Sequence, residues 1–398
     1  MKNPTIELVH QDVNTLAKRM NIDINGQSLK TPIKASSITL RNLEELQPLL
    51  SKEYQAYTGL GEIHISLTSD KIDRCLEDEE SRIIFDREIS NRLQTTLQLG
   101  LIPYLLISVK DNKGFSLNSL PAEEELKFII NLLWHPLNTI VVPPMFGGLK
   151  SMKEYEHIMR LLKERFETSQ DKFIIASIPS IYRSITPNII KNYWKFGVRM
   201  YAIDLDGRTL GAQSSIITLI HFTLNQLRKE SDENYILGGF NVKENAGVGD
   251  TARAHSLLST AYGLDFFGGN HVRRVGWAGD KPKRSEVLSS IRFLQSSDYG
   301  FYNVLELLKL KHQSKNIEID TLPFKDTSLE SVKYYTEQKV RSISKIHNLL
   351  KIQSEVKKFL ELIETDKFIK YLNNKNRIQR DLPELSKVVN ATKTQKAL

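Results

Sequence analysis

Tyr201-Ala-Ile-Asp-Leu-Asp-Gly207, Tyr235-Ile-Leu-Gly-Gly-Phe-Asn241 and Gly263-Leu-Asp-Phe-Phe-Gly-Gly-Asn-His271 follow one another inside the stretch from Tyr201 to Gly276. Each is a short apolar run that ends in aspartate, glycine, asparagine or histidine, the composition of strand ends that carry a site. Side chains at i and i+2 of a strand point the same way. Asp204 and Asp206 are therefore expected to share a face with Ala202, and Tyr201, Ile203 and Leu205 the other. Helical patterns separate the runs, at Ser214 to Lys229 and at Thr251 to Tyr262.

Working toward the amino terminus, the same alternation continues. Strand patterns lie at Leu29 to Ser37, Glu62 to Leu67, Ile102 to Val109, Thr139 to Val142 and Phe173 to Ser177. In the second of these, Ile63, Ile65 and Leu67 fall on one face and His64 and Ser66 on the other. Helices are expected at Leu43 to Leu50, Ser81 to Leu97, Glu123 to Trp134 and Ser151 to Phe166, with another opened by Pro187. Eight strands alternating with helices predict parallel pairing and an α/β fold of the (β/α)8 TIM-barrel type. The alternative, an open doubly wound sheet, would normally carry a G-x-G-x-x-G turn, which is absent.

Met1 to about Gln27 reads as a helical patch (Val13, Leu16, Met20) followed by a turn at Asn25-Gly26. Beyond Gly276, helices are expected at Ser285 to Leu294, Tyr302 to Lys311 and Leu329 to Asn374, the last a lysine-rich hairpin or arm. The division that follows is a barrel domain at 1–284 and a helical carboxyl-terminal region at 285–398.

The chain has 398 residues, a formal net charge of +8 and a single cysteine, Cys75. The charge favours an anionic partner, and one cysteine excludes an internal disulfide or a cysteine metal cluster. No signal peptide and no apolar run of the ~20 residues needed to cross a bilayer is visible. A cytoplasmic protein without a membrane partner is expected.

In a barrel the site lies at the carboxyl ends of the strands. The inward set there is Ser37, His64, Ser66, Ser177, Asp204, Asp206, Asn241, Asn270 and His271. Two carboxylates on one strand repel, so one holds a proton or meets a cation, and Asp204 and Asp206 are the catalytic candidates. A helix cap or an ion pair with Arg208 is the structural alternative. His64 alone reads more readily as a satisfied core residue, and Asp265 as a structural contact at the bottom of the barrel. Gly238, Gly239, Gly268 and Gly269 leave room for a flat ligand or a phosphate, or for tight packing. Arg273, Arg274, Lys281, Lys283 and Arg284 form a basic patch, with Trp277 and Tyr299 nearby for stacking on nucleic acid.

These runs resemble the tRNA-guanine transglycosylase family between Leu29 and Gly276. Leu29-Lys-Thr-Pro32 is similar to the family's entry strand, and Tyr201-Ala-Ile203 to the strand leading into its Gly-Gly base-binding turn. In this chain the glycine pair comes one strand later, in Leu237-Gly-Gly-Phe240. Gly263-Leu-Asp-Phe-Phe267 resembles the family's Gly-x-Asp-x-Phe run, and His271-Val-Arg-Arg274 its arginine-bearing loop. The resemblance implies a (β/α)8 barrel that exchanges guanine for a 7-deazaguanine through an aspartate-linked intermediate.

Two departures qualify that implication. The family's nucleophilic aspartate position is Gly268 here, and its zinc site needs several cysteines. No cofactor and no metal is therefore expected. The implied partners are DNA or tRNA, the free guanine or 7-deazaguanine base, and a second subunit in a homo- or heterodimer. The alternatives are a non-catalytic nucleic-acid-binding or accessory subunit, and a metal-dependent lyase built on Asp204, Asp206 and His64.

Overall fold

The computed structural model describes residues 2–37, 59–112, 117, 119–144, 146, 151–168, 171–179, 183–247, 251–272, 288–313, 329–332 and 334–394. The chain opens with an antiparallel sheet of β1 (Thr5–Gln11), β2 (Lys18–Ile24) and β3 (Gln27–Lys30). The helical patch expected across Val13 to Met20 is thus turn and strand. Asp12 Oδ1 accepts the backbone N–H of Asn14 and Thr15, a local turn that competes with a helix at its first residues. Asn25 and Gly26 form the hairpin turn, with φ of 54° and 80°, the left-handed pair that matches strand twist.

Eight parallel strands follow: β4 (Ile33–Lys34), β5 (Gly59–Thr68), β6 (Leu101–Lys110), β7 (Ile140–Val141), β8 (Phe173–Pro179), β9 (Met200–Asp204), β10 (Ile236–Phe240) and β11 (Phe266–Phe267). Their order is β4-β11-β10-β9-β8-β7-β6-β5. Closure comes just past β4, where Ser36 N donates to Leu60 O (2.9 Å) and Glu62 N to Ser36 O (2.8 Å). The (β/α)8 barrel expected from the alternation is the observed architecture, and all eight expected strand positions carry a barrel strand.

Ile33, Ile102, Tyr104, Phe173, Met200, Ile236, Phe240 and Phe266 fill the interior. Met20, Ile22, Ile24 and Leu29 of the amino-terminal sheet join that cluster, so the hairpin plugs the amino-terminal end of the barrel. Asp265 stands at this end, as expected, with Oδ2 3.0 Å from Lys18 Nζ and accepting from Leu237 N.

Around the strands lie α1 (Ser69–Glu77), α2 (Glu79–Gln98), α3 (Glu123–Leu133), α4 (Met152–Thr168), α5 (Thr186–Lys195) and α6 (Ser214–Ser231). Asp78 caps α2 by accepting from Glu80 N and Ser81 N. The helix expected at Thr251 to Tyr262 is instead a 3-10 turn at His255–Leu258. Its would-be first turn is committed elsewhere: Arg253 pairs with Ala246, and Ala254 N donates to Tyr299 O.

The carboxyl-terminal part adds a hairpin, β12 (Phe293–Gln295) and β13 (Gly300–Tyr302), where a helix was expected to reach Leu294. Then come α7 (Val304–His312), α8 (Leu329–Val332), α9 (Glu337–Glu364), α10 (Phe368–Asn373) and α11 (Leu382–Thr394). These helices do not project as an arm. Ile352, Val356, Phe359 and Ile363 of α9 share one core with the helices around the barrel, whereas its first half packs with Phe293, Val304 and Leu307. Arg253 holds Asp381 through both guanidinium arms, and Gln353 Nε2 donates to Ser36 Oγ at the barrel mouth (2.8 Å). Among the described residues, no helix is long and apolar enough to cross a membrane.

Candidate active site

At the carboxyl ends of the strands a cavity of about 600 Å³ opens between the barrel mouth and α9. The barrel side contributes Lys34, Ser37, Glu62, His64, Glu244, Asn270 and His271, and α9 contributes Lys345, Ile346, Asn348 and Leu349. Arg92 and Thr95 of α2 complete one side.

Glu62 is the centre of this arrangement. It has the strand parity of His64 and so points into the barrel, with a fully buried side chain. Oε1 accepts His271 Nε2 (2.6 Å) and Gly269 N (2.8 Å), and Oε2 accepts the Tyr104 hydroxyl (2.7 Å). Burial works to raise this carboxyl. The hydrogen bond and charge of His271, the charge of Lys34 and the Gly269 N–H overcome it and hold Glu62 below its ordinary value. The Lys34 ammonium donates to Gly268 O (2.8 Å), and burial lowers it while Glu62 and Glu244 act in the other direction. Burial raises Glu244, against the opposing charges of Lys34 and Lys345. One cavity wall thus holds an ionised carboxylate and another a carboxyl biased toward its neutral form, the division that acid–base chemistry uses.

His271 and His64 stack, with ring centroids 4.3 Å apart and planes 5° from parallel. His64 Nε2 meets Ser108 Oγ at 3.0 Å, and burial, with the charge of His271, pushes its imidazole down to about 3. An ionised Glu62 only accepts, so the hydrogen of the 2.6 Å contact sits on His271 Nε2, and Nδ1 is the ring nitrogen that does not face the carboxylate. Among the described residues, no hydrogen bond to that nitrogen is present.

The expected aspartate pair does not form. Strand β9 ends at Asp204, and Asp206 sits in the turn beyond it with φ of 49°. The Asp206 side chain is 44% exposed, 3.6 Å from Arg208, so the ion-pair alternative describes it. Asp204 does face inward. Its Oδ1 accepts Asn241 Nδ2 (2.8 Å) and Asp206 N (3.0 Å), and burial raises its carboxyl against those two bonds. Asn241 Oδ1 in turn accepts His271 N (3.1 Å), so hydrogen bonds run from Asp204 through Asn241 and His271 to Glu62.

Other expected site residues divide. Gly268 and Gly269 serve the carboxylate: a Cβ at 268 would lie 2.0 Å from Glu62 Oε2, and one at 269 would lie 3.3 Å from Oε1. Gly238 and Gly239 do not open a slot for a ligand. A Cβ on Gly238 would fall 2.1 Å from the Phe266 ring, and one on Gly239 2.9 Å from Leu264, so both make room for packing. Ser177 is buried and donates to Pro143 O (3.2 Å), and Ser66 is exposed farther along β5; neither lines the cavity. Asn270 lines it, with Oδ1 accepting Val272 N. Arg273, Arg274, Lys281, Lys283 and Arg284 lie outside the described residues. Among the described residues, no group of three histidine, cysteine or acidic side chains is placed to hold a metal, so Asp204, Asp206 and His64 do not converge as the lyase alternative needs.

Glu62, Lys34 and Glu244 were not among the expected site residues. For Glu62 a signal existed, since it shares the face of His64; Glu244 lies in a loop without periodicity. Comparison of the chain with protein-family models and with curated proteins finds no match.

Proposed function

We propose that this barrel transfers a pentosyl group between purine bases, exchanging guanine and a 7-deazaguanine in nucleic acid. The observation that carries it is the Glu62–His271 pair, 2.6 Å apart beneath the cavity. The resembled family has its nucleophilic aspartate at the position of Gly268, and Glu62 brings a carboxylate to that place from β5. The cavity volume falls in the ~300–1,000 Å³ range of small-ligand sites.

Roles follow from which atoms are already committed. Both Glu62 oxygens hold donors, so Glu62 is assigned the part of orienting His271. Asp204 lies outside the cavity lining and is joined to it through Asn241 and His271; its Oδ2, without a hydrogen bond among the described residues, is the oxygen we assign, in its ionised form, to the anomeric carbon. As that bond forms, the bond from the anomeric carbon to the base nitrogen breaks, and its electron pair leaves with the base. The base takes a proton from Nδ1 of cationic His271. The incoming base then returns a proton to His271 and displaces Asp204.

The test is incorporation of labelled guanine or 7-deazaguanine into DNA and into tRNA. Wild type incorporates, and His271→Gln is slower by about 100-fold or more, the usual weight of a positioned acid–base group. Failure of wild type on both polymers removes the reading. Filling of the Gly238 space by Phe266 favours a second one, an accessory subunit that binds without exchange; retained nucleic-acid binding without incorporation supports it.

A further inference from the structure

Two cations at the cavity rim have no part in the chemistry proposed above. Arg92 rises from α2, 41% exposed, with Nη1 3.4 Å from His64 O and Nη2 paired to Glu88 of its own helix. Lys345 reaches the cavity from α9, is exposed, and has no ion pair among the described residues. Together with Lys34 they give the lining three positive side chains against the two carboxyls Glu62 and Glu244. Ser37, Thr95 and Asn348 stand on the same lining, the Thr95 hydroxyl bonded to Asn91 O and the Asn348 amide to Leu294 N and Arg292 O. A neutral base alone would engage the charge of neither Arg92 nor Lys345, whereas an anion at the rim would meet one guanidinium and one ammonium from two separate elements.

We propose that Arg92 and Lys345 form a clasp for the phosphate ester of the nucleotide whose base enters toward Glu62 and His271. The inference deepens the base-exchange reading and rests on it for the identity of the base. The phosphate belongs either to a strand, as a phosphodiester, or to a free nucleotide. The guanidinium offers a planar pair of donors and the ammonium a compact charge, so the two hold adjacent phosphate oxygens without competing for one. In a strand, this places the sugar of an extruded nucleotide at the rim with its base below, the arrangement required for chemistry on a base.

Dissociation constants are measured on the full chain for guanosine, guanosine 5′-monophosphate, ribose 5-phosphate and a short guanosine-containing oligonucleotide. Wild type is compared with Arg92→Gln and Lys345→Gln, and labelled-guanine exchange is followed beside them. The clasp predicts that the monophosphate binds about tenfold tighter than guanosine. Each substitution removes most of that gap and leaves guanosine affinity unchanged. An oligonucleotide that binds tighter than the monophosphate, and loses affinity in both variants, identifies a strand phosphodiester. Equal affinities with the same loss identify a free nucleotide. Equal binding of guanosine and the monophosphate, with no binding of ribose 5-phosphate, overturns the clasp even where exchange proceeds. Ribose 5-phosphate binding that both substitutions weaken, with no exchange on any polymer, keeps the clasp and discards the base-exchange reading.

Discussion

Gly268 is glycine because Glu62 needs the space: a Cβ there would stand 2.0 Å from Oε2 and 2.8 Å from the carboxyl carbon. Gly268→Ala therefore displaces the carboxylate from Gly269 N and His271. We expect a loss of about 1–3 kcal/mol in unfolding free energy, typical of overpacking, together with slowed exchange. Shortening Glu62 as well, in Gly268→Ala with Glu62→Ser, restores part of the stability and none of the exchange. Urea unfolding of the two variants checks this, and a single variant as stable as wild type contradicts the packing.

A pH effect follows from His64, whose imidazole is pushed down to about 3 by burial and by the charge of His271. Unfolded, the same group takes a proton near its ordinary value of ~6.5. Between those limits the unfolded chain binds a proton that the folded chain refuses, so acidification through that window removes stability. The slope is at most ~1.4 kcal/mol per pH unit for one group. His64→Phe keeps a ring stacked on His271 without the titration. Its unfolding free energy should fall less steeply than that of wild type from pH 6.5 downward, and parallel curves would show that His64 titrates normally.

How much of this was legible depends on whether the information was local. The eight strands were, because each is an apolar run of the right length between turn residues, and Asp265 was recognised by its place at a strand start. Ala202 and Asp204 follow the period of two, but it cannot be carried on to Asp206, because the left-handed turn begins once β9 ends. The space at Gly238 belongs to Phe266, on the neighbouring strand, and the space at Gly268 to Glu62, from the far end of the chain. Such pairings are settled by barrel closure, and no window of sequence contains both partners. The amino-terminal hairpin was missed for a different reason: Val13, Leu16 and Met20 have helical spacing by coincidence, and the Asp12 turn decides.

Asp204 and Asp206 separate in a mutational test. Asp206→Ala removes an exposed pair with Arg208 at 3.6 Å, worth about 0–1 kcal/mol. Its exchange rate should stay within about twofold of wild type, a change of roughly 0.4 kcal/mol in the barrier. Asp204→Ala removes the acceptor of Asn241 Nδ2 and loosens the bond that seats His271 N, besides deleting the proposed nucleophile. Exchange should fall to background while the protein still folds. Steady-state rates for both variants decide it, and a dead Asp206→Ala enzyme would return the catalytic assignment to the turn.

The ion pair at the opposite end of the barrel should matter for stability alone. Asp265 and Lys18 are nearly inaccessible, 1% and 6% exposed at the side chain, and Asp265 also accepts Leu237 N at the start of β10. Deleting the carboxylate leaves a buried ammonium and a buried backbone donor unpaired, which costs about 3–5 kcal/mol. Replacing both partners with apolar side chains, as in Lys18→Met with Asp265→Leu, removes the stranded charge and should recover much of that loss. The Leu237 N–H still lacks its acceptor, so recovery stays incomplete. Nucleotide affinity, which the proposed clasp would set at the other mouth, should be the same in every folded variant. Urea midpoints for the singles and the double test the pair as a thermodynamic cycle. An Asp265→Ala protein within 1 kcal/mol of wild type would mean that Lys18 finds water or another acceptor, and that the plug is looser than its packing indicates.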